Sequence, residues 1–469
     1  MGRREGQQSP MWVSGPELAR SPGHRFYEKL NELLSEAKFD RAVEGICAPY
    51  FEADDKPGRP SIPPGVYFRM LFVGYFEGFE SERGLEWRCA DSLSLRTFLG
   101  VPLNERVPDH SSLSRMRARL DDSVYDEVFR LVLGIVETKG LLRGKVAGVD
   151  STYLRADASM KTIVRKRTGD DYTTYLKKLC EAQGTKNPTV EDARRMDRKR
   201  KGKKVSNKDW KSPTDADARI VKLKDGRTRL GYKAEHVVDL DTGAVVAAEV
   251  YSADETDTAT LQPSLEAARK NVEAARDRHD DDDDAPPPAA PSDSSRPTIE
   301  VVADKGYHKV DLLLDLRRAE YRTYIPPPDQ KGQRQFADKG GMLGREAFHD
   351  NRKRVRRAKG KRLLRLRGER IERTFALACE TGAHRRVRLR GRENVRKRYL
   401  VHLAALNLGL VMRTLFGHGT PREEADAVLI VIAIAVWNGL RTIVRGAESF
   451  VGTLLPRAVA SGTPTSVAA

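Results

Sequence analysis

After residue 145 the chain changes from helical periodicity to short β-branched runs separated by amphipathic helices. VAGVDSTYLRA reads as a strand from its Val, Thr and Tyr content and its alternation. RTRLGYKAEHVVDL and GAVVAAEVY follow as two further strands, joined at DTG in a hairpin. Then come a helix in DTATLQPSLEAARKNVEAARD, a strand in TIEVVAD, a helix around VDLLLDLRRA, a strand in YRTYIP, and an Arg-rich helical region from Leu363 onward. That order, with its antiparallel opening hairpin, requires a mixed α/β sheet covered by helices.

Residues 25–140 have helical periodicity almost throughout. FYEKLNELLSEAKFDRAVEGI puts Phe26, Leu30, Leu33 and Leu34 on one face of an amphipathic helix. KPGRPSIPPG breaks that unit, and PPGVYFRMLFVGYFEGF starts a second helix with proline in its first turn. A third carries Trp87 and Leu93, and PDHSSLSRMRARL opens with capping residues before Arg115, Arg117 and Arg119. Residues 25–140 are therefore expected as an all-α N-terminal domain, after a flexible stretch at 1–24. Residues 141–415 form the α/β domain. Within it, 161–211 is basic, poor in large apolar residues and expected as an exposed helical or flexible insertion outside the core; 279–297 (DDDDDAPPPAAPSDSS) is expected as a disordered acidic loop. A C-terminal helix and flexible tail fill 416–469.

The formal net charge of +17 over 469 residues points to a polyanionic partner, because cations that neutralise phosphates gain from counterion release. Residues 351–400 concentrate it, with twenty Lys and Arg against four Glu. Cys47, Cys89, Cys180 and Cys379 form no CxxC pair, which argues against a zinc knuckle and fits a reducing compartment. No apolar stretch follows the charged MGRREGQQSP, and the apolar run at 427–437 is too short to cross a bilayer and reads as a buried helix. A soluble, cytoplasmic, nucleoid-associated protein is expected.

Three carboxylates stand where this topology converges. Asp150 lies inside the first strand, Asp304 ends VVAD before Lys305–Gly306–Tyr307, and Glu372 lies in GERIERTF on the late helix. Such acids repel one another unless a cation neutralises them. Oxygen donors of this kind suit Mg²⁺ or Mn²⁺, and two ions about 3.5–4 Å apart support in-line displacement at phosphorus. Ser151 and Thr152, with no Ser-His-Asp arrangement around them, read as packing groups beside Asp150.

GVDSTYLRADAS, LGYKAEHVVDLDTG, VVADKGYH and ERIERTFA resemble the successive blocks of DDE-type bacterial insertion-sequence transposases, whose catalytic core is RNase H-like. The helical region ending in PDHSSLSRMRARL is similar to the one preceding the core in that group, and the resemblance covers residues 25–415. It implies a mixed sheet flanked by helices, with an all-α N-terminal domain that binds DNA ends. It implies Asp150, Asp304 and Glu372 as the catalytic and metal-binding triad, with two Mg²⁺ or Mn²⁺ ions. The implied activity is cut-and-paste cleavage and strand transfer on terminal inverted repeats and target DNA, by a homo-oligomer assembled on DNA. Many relatives have Arg four residues before the Glu and Lys seven after; Gly368 and Cys379 stand there, with Arg367, Arg370, Arg385 and Arg386 nearby. Glu369, one turn earlier, is the competing third ligand.

DNA contacts are expected at Arg115 and Arg117 of a helix-turn-helix-like element and at Lys233 and His236 of GYKAEH. Lys305, Arg370, Arg385, Arg386, Arg396 and Lys397 complete the expected set, with the basic insertion as a second footprint. A nuclease that does not join strands, and a silent DNA-binding regulator, are the rival readings.

Overall fold

The structure is a computed structural model that describes residues 25–51, 61–201, 205–223, 225–280, 299–329, 340–426 and 437. The N-terminal part consists of α1 (Arg25–Glu36), α2 (Phe39–Cys47), α3 (Pro64–Glu77), α4 (Glu82–Asp91), α5 (Leu93–Leu99), α6 (His110–Arg119) and α7 (Asp122–Thr138). The stripe expected as one helix breaks into α1 and α2 at Lys38, whose φ of 49° is left-handed and cannot continue a helix. The expected third helix likewise divides at Ser92, whose hydroxyl accepts from Leu95 N and caps α5. Trp87 and Leu93 remain exposed.

The α/β part runs β1 (Val146–Arg155), β2 (Val164–Arg165), α8 (Tyr172–Ala182), α9 (Val190–Lys199), β3 (Trp210–Lys211), β4 (Arg219–Lys222), β5 (Thr228–Asp239), β6 (Val245–Ser252), α10 (Asp257–Asp280), β7 (Glu300–Val302), α11 (Val310–Arg318), β8 (Arg322–Tyr324), α12 (Gly341–Arg356), α13 (Ala358–Glu380) and α14 (Arg392–Phe416). The main sheet has the order β5-β1-β7-β8, with β4 and β6 sharing the outer edge of β5. β1 pairs antiparallel with β5 and parallel with β7, and β7 pairs parallel with β8. This is the RNase H-like mixed sheet expected from the sequence. α10 covers one face and α13 the other.

Both outer edges are closed by a buried asparagine. Asn407 of α14 accepts from Val245 N (2.9 Å) and donates to Val245 O (2.8 Å) at the start of β6. Asn351 of α12 does the same for Ile325, just beyond β8, at 3.0 and 2.7 Å. A sheet edge otherwise leaves backbone groups unpaired, and an amide side chain matches one donor and one acceptor at once.

The helical part and the sheet share one hydrophobic core. α14 packs on α3, α7 and β6, so the change of architecture near residue 140 lies within one compact unit, Met1–Gly419. The second unit is Thr420–Ala469. α14 lies in the only described stretch long and apolar enough to cross a membrane, and 67% of its apolar window is buried in the protein. In the insertion, α8 and α9 form a hairpin with its own small core of Leu176, Cys180 and Ala193, separate from the main one. Its helices start at Asp171 and at a Thr189–Asp192 capping box. Trp210 is buried, its ring meeting Tyr172 and Tyr175. Of the remaining expectations, residues 1–24, 281–297 and 438–469 lie outside the described residues, as does the apolar run except exposed Trp437.

Each orphaned buried backbone group costs about 1–3 kcal/mol. Asn407→Leu should therefore lower the unfolding free energy by about 2 kcal/mol or more, read from urea denaturation. An unchanged midpoint would show that the edge of β6 is not held by this amide.

Candidate active site

Asp150 lies midway along β1, opposite His236 of β5. On its other side, the parallel register pairs Gly148 with Val302. Asp150 and Asp304 each stand two residues beyond that pair, Asp304 just past the end of β7.

Alternation then decides which helix each residue meets. A Cβ on Gly148 would stand 2.5 Å from Leu240 and 3.0 Å from Ile371 of α13, so a side chain there would meet α13. Asp150, two residues on, shares that face. A terminal nitrogen of Arg367 pairs with Asp150 Oδ2 at 2.8 Å, and Arg367 Nε donates to Val149 O at 3.2 Å. Both side chains are largely buried, so the pair is shielded from solvent. Asp304 Oδ1 accepts from Gly306 N at 2.7 Å and caps the short turn Lys305–Tyr307.

The α10 face carries a second cluster. Lys233, only 1% exposed, pairs with Asp257 Oδ1 at 2.7 Å, donates to Thr260 Oγ1 at 2.8 Å and lies 3.6 Å from Glu235. Ser151 Oγ donates to the same Asp257 oxygen at 3.2 Å. Glu235 accepts from Ser264, Thr260 and Tyr307 hydroxyls at 2.6–2.7 Å. Burial pushes its carboxyl above the usual range, against the pull of those donors and Lys233. Gly306 leaves a notch in this wall: a Cβ there would stand 2.7 Å from Asp257 Oδ2 and 3.0 Å from Asp304 Oδ1.

His236 is fully buried. Its Nδ1 meets Thr374 Oγ1 (2.9 Å), its Nε2 meets Tyr399 OH (2.6 Å), and its ring stacks on Phe375 at 4.0 Å. Thr374 Oγ1 donates to Ile371 O, so the network assigns Nδ1–H as donor to Thr374 and Tyr399 OH as donor to Nε2. Burial holds this imidazole down at about 3 and therefore neutral.

These positions correct several expected DNA contacts. Lys233 and His236 have no open surface, and their hydrogen bonds are spent inside the protein. Arg117 is buried and paired with Glu82. Lys397 is 4% exposed at its side chain and paired with Glu393 at 2.5 Å. Arg396 is gripped by Glu249 (2.8 and 3.0 Å) and Asp126 (2.7 Å), tying α14 to β6 and α7. Arg115, Lys305 and Arg385 are exposed; Arg370 and Arg386 are half-buried, and Arg386 pairs with Asp157 at 2.7 Å.

Glu372 and Glu369 lie on the exposed side of α13, with Arg362, Arg365 and Arg373. The structure does not gather Glu372 with the two aspartates: among the described residues, no three His, Cys, Asp or Glu side chains form a group able to hold a metal ion. Arg367 as partner of Asp150, and Asp257 as partner of Ser151 and Lys233, were not singled out from the sequence. Asp257 had one available signal, its place at the start of the helix after β6.

Two family models match the chain. One, described as a transposase domain, covers residues 17–119; the other, described as a transposase DDE domain, covers residues 192–408. No curated protein and no solved structure matches. The second match includes Asp304 and Glu372 and begins after β1, so Asp150 lies outside both matches.

Burial also holds His384 at about 3. In the unfolded chain these imidazoles bind protons below about pH 6.5, whereas in the fold they stay neutral until about 3. The unfolded state thus binds more protons throughout that window, and stability falls as pH falls. Urea midpoints should be flat above about pH 7 and decline below about 6.5. A midpoint still flat at pH 5 would mean that the imidazoles are charged in the fold.

Proposed function

Because the chain belongs to the DDE-type transposases of insertion sequences, we propose that it cleaves the ends of its element and joins them to target DNA through Asp150, Asp304 and Glu372. The observation that supports this reading is the β1–β7 register, whose last pair, Gly148 with Val302, stands two residues before Asp150 and Asp304.

DDE transposases generally use divalent metal ions. The donor set fits: carboxylate oxygens are hard ligands suited to Mg²⁺ or Mn²⁺, and Asp150 already faces a cation in Arg367. Asp150, Asp304 and Glu372 would hold two such ions, which when bound supply activation of the attacking oxygen and stabilisation of the leaving one. Helical geometry favours Glu372 over Glu369. At about 100° per residue, Glu372 is about 100° from sheet-facing Ile371, whereas Glu369 is about 160° away.

The protein's own cations hold the DNA. Arg356, Arg357, Lys361, Arg362 and Arg365 form an exposed basic corner where α12 meets α13, leading along α13 toward Glu372. Arg367 stands beside Asp150, where its guanidinium binds a phosphate of the strand being cut. Lys305 borders Asp304, and Arg115 on α6 faces outward for the end-binding role of the helical part. Arg194, Arg195 and Arg198 of α9 extend the surface into the insertion. The protein acts as a homo-oligomer on paired element ends, on nucleoid DNA in the cytoplasm.

Plasmid excision and strand transfer with Mg²⁺ tests the reading. Asp150→Ala, Asp304→Ala and Glu372→Ala should each abolish both reactions, a loss of at least about 1,000-fold, while binding to element ends persists. Activity surviving in Glu372→Ala would transfer the third role to Glu369. Cleavage without joining would make the protein a nuclease; binding without cleavage in any divalent metal would make it a regulator.

Charge reversal at the corner should act differently. Arg362→Glu with Arg365→Glu should weaken DNA binding and flatten the slope of log affinity against log salt by about 2. An unchanged slope would place the DNA elsewhere.

A further inference from the structure

We propose that Asp257 is a positioning residue for the two strand-borne acids, holding Asp150 and Asp304 at a fixed separation from the opposite side of the sheet. The proposal rests on the reading of Asp150 and Asp304 as catalytic.

Asp257 opens α10, and its two oxygens face different segments. Oδ1 takes the Lys233 ammonium at 2.7 Å and the Ser151 hydroxyl at 3.2 Å, and Ser151 is the residue after Asp150. Oδ2 faces the Gly306 notch, across which lies Asp304 Oδ1. One carboxylate thus touches the β1 segment that carries Asp150 and borders the turn that carries Asp304. Tyr307, at the end of that turn, is tied by its hydroxyl to Glu235, the other acid of Lys233. A buried ammonium with two acids is no efficient source of stability, since an apolar cluster of equal volume does as well. Its members touch Ser151, next to Asp150, and Tyr307, three residues after Asp304, and this is the feature that a positioning role explains.

Gly306 supplies an independent handle. It is not among the glycines with positive φ, so its backbone does not require glycine. What a side chain would meet there is the two carboxylates, 2.7 and 3.0 Å from the missing Cβ, which would have to shift. A single methyl group at this position therefore pushes on the spacing that Asp257 and Asp304 maintain and leaves every charge in place.

The test is Mn²⁺ binding to the full-length protein, followed by electron paramagnetic resonance of the free ion, with no turnover required. Thermal melting and binding to element ends are measured alongside. Gly306→Ala should melt and bind DNA ends like the parent, yet weaken Mn²⁺ binding by about tenfold or more; Asp257→Asn should weaken it likewise, with a lower melting temperature because Lys233 loses an acid. Their cleavage defect should be relieved in part by raising Mn²⁺, which a purely structural lesion would not allow. Should Asp257→Asn fail to fold, Ser151→Ala removes only the tie to β1 and should shift Mn²⁺ affinity in the same direction. Wild-type Mn²⁺ affinity in folded Gly306→Ala and Ser151→Ala overturns the proposal. Asp150→Asn separates the two layers. If it abolishes Mn²⁺ binding while the positioning variants do not change it, only the role of Asp257 is wrong. If Asp150→Asn also binds Mn²⁺ normally, the catalytic reading fails and the proposal falls with it.

Discussion

The two-sided pairing of β1 is the constraint on which the rest depends. On one side it runs antiparallel to β5, on the other parallel to β7, and its residues alternate between the α13 and α10 faces. Asp150 and its cross-strand neighbour His236 therefore belong to α13, with Arg367, Thr374 and Phe375. Ser151 and its neighbour Glu235 belong to α10, with Asp257, Thr260 and Ser264. A register slip of one residue would exchange the two sets and bury Asp150 against α10. Closing both sheet edges with Asn407 and Asn351 helps to keep that register fixed.

Charge is distributed on two scales. Part of the large positive excess is spent inside the protein, where it joins elements that the apolar core alone would leave free to slide. Arg69 grips Asp40 through two bonds of 2.8 Å and also reaches Asn31 and Phe98 O, locking α3 to α1, α2 and α5. Arg396 performs the same task among α14, β6 and α7. Arg69 itself is buried, so removing its acid would leave the guanidinium uncompensated. The remaining cations, at the α12–α13 corner and along α9, are exposed and available to a polyanion.

Much of this was legible in the sequence, for identifiable reasons. β-branched alternation and the DTG turn gave β1, β5 and β6 their order, with Asp150 inside the first strand and Asp304 just after VVA. Helix breaks at Lys38 and Ser92 were not legible, because apolar periodicity runs through both and the interruption comes from backbone conformation or a single hydroxyl cap. The basic insertion left helix and flexible chain open; two capped helices hold it, with Leu176, Cys180 and Ala193 packed among Tyr172, Tyr175, Leu179 and Met196. Cations were the least legible. Twenty Lys and Arg between 351 and 400 look alike in a sequence, yet Arg396 and Lys397 are enclosed while Arg362 and Arg365 are not. Burial depends on partners distant in the chain, such as Glu249 and Asp126. Lys233 and His236 were misassigned to DNA for the same reason.

The central claim is that Asp150, Asp304 and Glu372 surround one divalent-metal centre when the protein is at work. Iron-directed backbone cleavage on the protein bound to its element ends tests this directly: Fe²⁺ replaces Mg²⁺, ascorbate and peroxide generate radicals at the bound ion, and the cut sites are mapped by mass spectrometry. The account predicts cuts clustered near residues 150, 304 and 372, suppressed by excess Mg²⁺. Cuts near 150 and 304 with none on α13, or cuts scattered without competition by Mg²⁺, would contradict it.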